Sequence, residues 1–208
     1  MLYVPMHILL EDPEMTARLV QRGRLAVSLP RIIHDGEMPR LKKGLQQLRE
    51  LGVKDALVGN LGHLTAVREA GMRIHGDFGL NIYNSASMNV LRNLELTSAT
   101  VSFEATMPQI RDMSKAVNME IIVYGRLPLM VTEQCLFRGR TGQCSCDMAA
   151  TKLVDKTGAE FPIIKDGSSC RSVLLNGKNL RTCMPLRQWE AWWLPAAMPV
   201  PGRCPTAA

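Results

Sequence analysis

No stretch of this chain stays apolar for long. Runs such as Ile121 to Val123 and Leu127 to Val131 fall far short of the roughly 20 residues that cross a bilayer, and charges flank them. That excludes a transmembrane helix. The opening residues MLYVPMHILL lack a basic leader and a small-residue cleavage site, which argues against a secretory signal and sets the expectation of a cytoplasmic protein. Lysine and arginine form no block either. The formal net charge of +6 is scattered, as on an ordinary solvated surface, rather than gathered into the stripe by which a protein holds RNA. There is no HExxH, no GxSxG and no Cys/His pair in a recognisable context, so no familiar peptidase nucleophile or metal-bound water is legible. GNLG at Gly59 to Gly62 and GDFG at Gly76 to Gly79 lack the GxGxxG pattern, so their glycines are read as permitting tight turns and no nucleotide cofactor is inferred. Six cysteines in a leaderless chain make no disulfide framework, because the cytosol keeps thiols reduced. Metal binding, catalysis or burial remain for them.

What is present suits a real core: 208 residues, of which 46% are apolar, enough for one domain of ordinary size. From Leu25 onward, short runs rich in Val, Ile and Phe alternate with amphipathic stretches, the pattern of βα units around a parallel sheet. The predicted strands are Leu25 to Leu29, Ala56 to Val58, Arg73 to His75, Thr100 to Phe103 and Glu120 to Tyr124. Asp12, Pro13 and Glu14 read as a helix start, with Gly23 ending that helix. Met38, Leu41, Leu45, Leu48 and Leu51 fall at helical spacing, and Gly52 sits where a C-terminal cap belongs. Thr106 and Gln109 have capping-box spacing ahead of Ile110, Met113 and Val117. Such units are too many for one βαβ motif and too few for a closed eight-stranded barrel, which takes about 250 residues. The sheet is open or the chain incomplete. After Tyr124 the rhythm stops, Pro128 breaks the run, and Leu153 to Asp155 with Phe161 to Ile164 read as a β-hairpin across Lys156, Thr157 and Gly158.

The densest chemical signal is Cys135, Cys144, Cys146 and Cys170, spaced C-x8-C-x-C-x23-C. Four thiolates suit an iron-sulfur cluster or zinc, and the spacing is not that of a zinc ribbon, so the metal stays open. At the expected C-terminal ends of strands, where barrel enzymes carry function, stand further candidates. His75, Asp77, Glu104 and Arg126 are the catalytic candidates, and Asn60, Asn81, Asn84 and Tyr124 the substrate-binding ones. His75 and Asp77 alternate along one strand and so project to one side, able to orient or protonate a substrate. The plainer alternative makes His75 a satisfied core histidine and Asp77 a turn cap. Arg126 suits a carboxylate or other anion, or else an ion pair with Glu104 or Glu133.

Several words of the sequence are more specific. GNLGH at Gly59 to His63, HGDFGLNIYNS at His75 to Ser85, VYGRLPLM at Val123 to Met130, TEQC at Thr132 to Cys135, LVDKTGAEFPI at Leu153 to Ile163 and CRSVLLN at Cys170 to Asn176 resemble, in order and spacing, the collagenase-like peptidase family U32. The resemblance runs from about Leu25 to Leu180. It implies an α/β fold with an incomplete (β/α) TIM-type barrel of C-terminal strands over residues 1–130. A cysteine-rich iron-sulfur module with a hairpin follows over 131–180, and an irregular tail over 181–208. It further implies a [4Fe-4S] cluster on Cys135, Cys144, Cys146 and Cys170, with zinc as the alternative and Cys183 as a reserve ligand. The activity it implies is oxygen-independent hydroxylation of an RNA base or a quinone-type ring. The alternatives are a collagenase-like peptidase or a non-catalytic RNA-binding protein with a structural cluster. RNA or a small aromatic substrate is the expected partner, with no membrane and with a neighbouring polypeptide completing the barrel. The match ceases near Arg181, where Trp189, Trp192 and Trp193 crowd a proline-rich stretch without a period. The expectation is therefore a truncated family member, starting almost directly in a helix and ending in a tail out of register with the family.

Overall fold

The computed structural model describes residues 1–136, 151–166 and 171–181. Within these, the first body is a parallel sheet of six strands in sequential order: β1 (Leu2–Pro5), β2 (Leu25–Ser28), β3 (Asp55–Val58), β4 (Arg73–Gly76), β5 (Ser98–Thr100) and β6 (Asn118–Glu120). Between successive strands run α1 (Met6–Glu11) and α2 (Pro13–Gln21), then α3 (Met38–Glu50), α4 (Leu64–Glu69), α5 (Ser85–Asn93) and α6 (Met107–Asp112). Asp12 accepts the Met15 N–H at 2.8 Å and so caps α2, and Gly23 beyond its end takes a φ of 83°. Helix α3 buries Leu41, Leu45 and Leu48, the stripe that its periodicity predicts, and Gly52 adopts a φ of 94° just past it, open to glycine without penalty. The outer face of the sheet and these helices share one apolar core that includes Val27, Ala56, Val58, Ile74, Ala99 and Val101.

The other face of the sheet is polar. Side chains there alternate with the core residues, as strand geometry demands: Tyr3, Asp55, His75, Ser98 and Glu120 meet in one hydrogen-bonded network. The Glu120 carboxylate accepts the Tyr3 hydroxyl at 2.8 and 3.0 Å and the Ser98 hydroxyl at 2.6 Å. Tyr3 lies on β1 and Glu120 on β6, so the first and last strands of the sheet come within one side chain's reach of each other. The sheet is curled. Burial, with the neighbouring Glu120 charge, pushes the Tyr3 hydroxyl far above the usual tyrosine range, so it remains a donor at any ordinary pH. On β3, buried Asp55 accepts Arg73 Nη2 at 2.7 Å.

The second body is an antiparallel sheet ordered β7 (Tyr124–Thr132), β10 (Ser172–Arg181), β9 (Glu160–Lys165), β8 (Thr151–Val154). Strands β8 and β9 form the expected hairpin, with Leu153 opposite Phe161.

The structure differs from the sequence reading in five places. A strand, β1, precedes the first helix, pairing Leu2 to Pro5 with Leu25 to Ser28; it is too short and too close to α1 to show a period of its own. The strand expected at Thr100 to Phe103 runs Ser98–Thr100, because inward Ser98 and Thr100 keep the pattern from looking apolar. The strand expected at Glu120 to Tyr124 divides into β6 and β7. Pro128 lies within β7 and does not break it: β7 is an edge strand, where a missing N–H costs no ladder bond. Helix α6 ends at Asp112, so buried Met113 and Val117 follow it instead of riding on it. The Lys115 ammonium donates to the carbonyls of Ile110, Arg111 and Met113 at 2.6 to 2.8 Å and closes the helix there.

Glu120→Ala removes the acceptor that joins β1, β5 and β6 and leaves two part-buried hydroxyls unmatched. Urea unfolding is expected to show a loss of about 1–3 kcal/mol, whereas Tyr83→Phe, which removes a 3.4 Å exposed contact to the Glu104 carbonyl, stays near the wild type. An unchanged midpoint for Glu120→Ala would contradict the curled closure.

Candidate functional site

The loops that follow β2, β3, β4 and β5 gather at the C-terminal end of the parallel sheet, and β7 crosses over them. Between β7 and these loops lies a cavity of about 460 Å³, bounded by Arg31, Phe78, Asn81, Phe103 and Glu104 below and by Pro128 to Val131 above. Arg171 and His34 both reach Glu133 and tie the two bodies together. Arg171, 5% exposed, donates to Glu133 Oε1 at 2.6 Å, Glu37 Oε2 at 2.8 Å and the Ile32 carbonyl at 3.1 Å. Both carboxyls are held below the usual glutamate range, chiefly by that guanidinium. Glu133 also meets His34 Nε2 at 3.0 Å, while Glu37 accepts the His34 backbone N–H at 2.8 Å. Sequence reasoning missed Arg171 as a site residue although it stands in the word CRSVLLN. A lone arginine beside a cysteine carries no pattern until its partners, 38 and 134 residues away, are known.

The catalytic candidates separate. His75 lies inside the curled sheet, its Nδ1 2.7 Å from Ser98 Oγ and its Nε2 2.9 Å from Asp55 Oδ1. Asp77 lies just past the end of β4, not on it, and accepts the Phe78 N–H at 2.8 Å, capping the 3-10 turn Phe78–Leu80. Burial pushes its carboxyl above the usual range, against the pull of Phe78 N–H and of Arg31. Glu104 borders the cavity. Arg126 is on β7, where its Nη1 donates to the carbonyls of Asn176 at 2.9 Å and of Gly177. It clasps the irregular part of β10 and makes no ion pair with Glu104 or Glu133.

Among the binding candidates, Asn81 borders the cavity in a left-handed conformation with φ 53°. Asn60 caps the turn after β3, accepting the Gly62 N–H at 2.9 Å and donating to the Arg31 carbonyl at 3.3 Å. Asn84 caps α5 through the Ser87 N–H at 2.9 Å. Tyr124 opens β7, exposed, its hydroxyl 3.4 Å from Asn179 Nδ2. The cavity thus brings Asn81 and Glu104 together with Arg31, Phe78 and Phe103, which sequence reasoning did not select.

One constellation is new. Ser98, His75 and Asp55 stand in line as hydroxyl, imidazole and carboxylate, the order of a hydrolase triad. Their chemistry differs: all three are at most 4% exposed, and Ser98 directs its proton to Glu120 at 2.6 Å. A hydroxyl so committed and so enclosed is no nucleophile.

Of the four proposed metal ligands, Cys144, Cys146 and Cys170 lie outside the described residues. Cys135 is a free, partly buried thiol just after β7, and the next residue, Leu136, donates its N–H to Ser172 Oγ at 3.1 Å. Among the described residues no three His, Cys, Asp or Glu side chains form a group fit for a metal. The sheet register is informative nonetheless. Thr132 and Lys165 both sit opposite Ser172, and Thr151 opposite Ile163. The points where the chain leaves β7, enters β8, leaves β9 and enters β10 therefore share one end of the antiparallel sheet, the end that Arg171 fixes to the parallel one. In the sequence, the proposed ligands all fall just beyond those points.

The model of peptidase family U32 matches residues 13–182. No curated protein and no solved structure matches the chain.

The raised Asp77 carboxyl gives a signed pH dependence. Its proton is held more tightly in the folded chain than in the unfolded one, so its contribution is fully present below the ordinary aspartate value of about 3.9. It is lost as pH rises through the higher folded value. Asp77→Asn keeps an acceptor for Phe78 without the buried charge. Its stability relative to the wild type is expected to rise with pH above about 4 and level off once the wild-type carboxyl is ionised. Thermal unfolding of both proteins across pH measures this, and a pH-independent difference would contradict it.

Proposed function

The chain belongs to peptidase family U32, and on that premise we propose that it is an iron-sulfur protein of the hydroxylating kind. In this reading it acts without oxygen on an RNA base or a quinone-type ring at the mouth of an incomplete (β/α) TIM-type barrel. The carrying observation is the convergence of the four sheet exits at the end held by Arg171. Cys135 stands beside one exit, Cys144 and Cys146 belong to the segment between Leu136 and Thr151, and Cys170 directly precedes Arg171. A single cysteine-rich module built on that sheet end would hold a [4Fe-4S] cluster on these four thiolates, a donor set such clusters take. When bound, the cluster supplies one-electron redox chemistry.

The chain's own residues do the rest. Arg171, bonded through Nε, Nη1 and Nη2 to Glu133, the Ile32 carbonyl and Glu37, keeps that end of the antiparallel sheet over the loops. Pro128 to Val131 roof the cavity and limit water, while Asn81 and Glu104 offer it a polar edge. Asp77, whose carboxyl burial raises above the usual aspartate range, stands next to that cavity as its candidate proton carrier. Proteolysis finds less support. The serine, histidine and aspartate that do line up are sealed inside the sheet, and a thiolate-held cluster suits electron transfer better than amide hydrolysis.

Anaerobically isolated or reconstituted protein is expected to be brown, with about four irons and matching sulfide per chain. Cys135→Ala and Cys170→Ala should each abolish the cluster, and Cys204→Ala should not. Stoichiometric zinc without acid-labile sulfide, or equal loss in all three variants, would sink the reading.

A further inference from the structure

Arg31 stands in the loop after β2, at the floor of the cavity beneath β7. Its guanidinium lies 5.1 Å from the centroid of the Phe78 ring, and Phe78 in turn leans on Phe103, centroids 5.7 Å apart and planes at 54°. The stem is held: Arg31 Cγ lies 3.3 Å from where a side chain on Gly59 would begin, and the backbone carbonyl accepts Asn60 Nδ2 at 3.3 Å. The head is not. Among the described residues nothing accepts a hydrogen bond from the guanidinium. Asp77 and Asp166 act on it only through space, and burial opposes the charge of both. Arg171 provides the contrast, since every direction of its fork is used. A guanidinium parked on a ring face, with its stem fixed and its donors unspent among the described residues, is preorganised for bidentate capture of a carboxylate or phosphate.

We propose that Arg31 and the Phe78–Phe103 pair form a binding site for a planar ring that carries a carboxylate or phosphate. The oxyanion takes the Arg31 fork and the ring lies against the tilted phenylalanines under Pro128 to Val131. The cavity, about 460 Å³, has the size of a small-ligand site. Asn81, fixed in its left-handed conformation, adds an amide that can meet a ring carbonyl or amine, and Glu104 on the same rim repels a second anion. This deepens the preceding reading by naming what its mouth would recognise, but it stands on the cavity's own residues.

The full chain, titrated calorimetrically with benzoate, phenyl phosphate, benzamide and inorganic phosphate, tests it. One of the two ring anions is expected to bind about tenfold or more tightly than both the uncharged ring and the ringless anion, as charge-assisted hydrogen bonds allow. Benzoate against phenyl phosphate then tells which oxyanion the site prefers. Arg31→Met, which keeps the stem, should lose that tenfold; Arg31→Lys should keep part of it; Phe78→Leu should weaken both ring anions and leave inorganic phosphate unchanged. Benzamide binding as tightly as both ring anions, or Arg31→Met binding like the wild type, or no binding of either ring anion at millimolar concentration, overturns the site. Far-UV circular dichroism of each variant guards against misfolding. Binding is read without turnover, so a chain that carries zinc can still pass, and a failed titration leaves the iron content untouched.

Discussion

The arrangement of the two sheets depends on one buried guanidinium. Arg171 is nearly sealed from water, and burying such a charge is costly unless its donors are matched. Here they are, by Glu133 on its own sheet and by Glu37 and the Ile32 carbonyl on the loop beyond β2. The two carboxylates remain half exposed, at 42% and 60% of their side chains, so their own solvation is largely kept while the arginine is neutralised. That geometry fixes one end of the antiparallel sheet against the mouth of the parallel one. The cavity lies between these two sheets, with Arg31 beneath β7.

Inside the curled sheet a second set of polar contacts takes the place that apolar side chains usually fill in a parallel β/α structure. Tyr3, Asp55, His75, Ser98 and Glu120 satisfy one another, and Arg73 completes the set from the rim. A polar interior of this kind is tolerable only when each donor meets an acceptor. It also makes the wall specific, since His75 has both ring nitrogens engaged within it and Asp77, two residues on, is left to the turn beside the cavity.

Much of the fold was legible because its signals are local. The stripe of α3, the Asp12 cap of α2, the Gln109 oxygen that accepts the Thr106 N–H at 2.8 Å and the β8–β9 hairpin each depend on residues a few positions apart. What escaped was set by distance or by context. Strand β1 is four residues long and gains its identity only by pairing with β2. Pro128 reads as a breaker until β7 is known to be an edge. At the cavity, the strand-end rule found Asn81 and Glu104. Arg126 and Tyr124 were assigned to the mouth because the last parallel strand was drawn too long. Arg31, Phe78 and Arg171 had no motif to mark them, as their roles are created by loops that meet only after folding.

Amide hydrogen exchange of the wild-type chain and of Arg171→Met, compared peptide by peptide, addresses the docking of the two sheets most directly. If Arg171 holds them together, its loss speeds exchange in residues 29–37 and 130–136 while the amides of β3 and β4 keep their protection. Unchanged exchange in both loop segments would show that the sheets are joined by something other than this arginine.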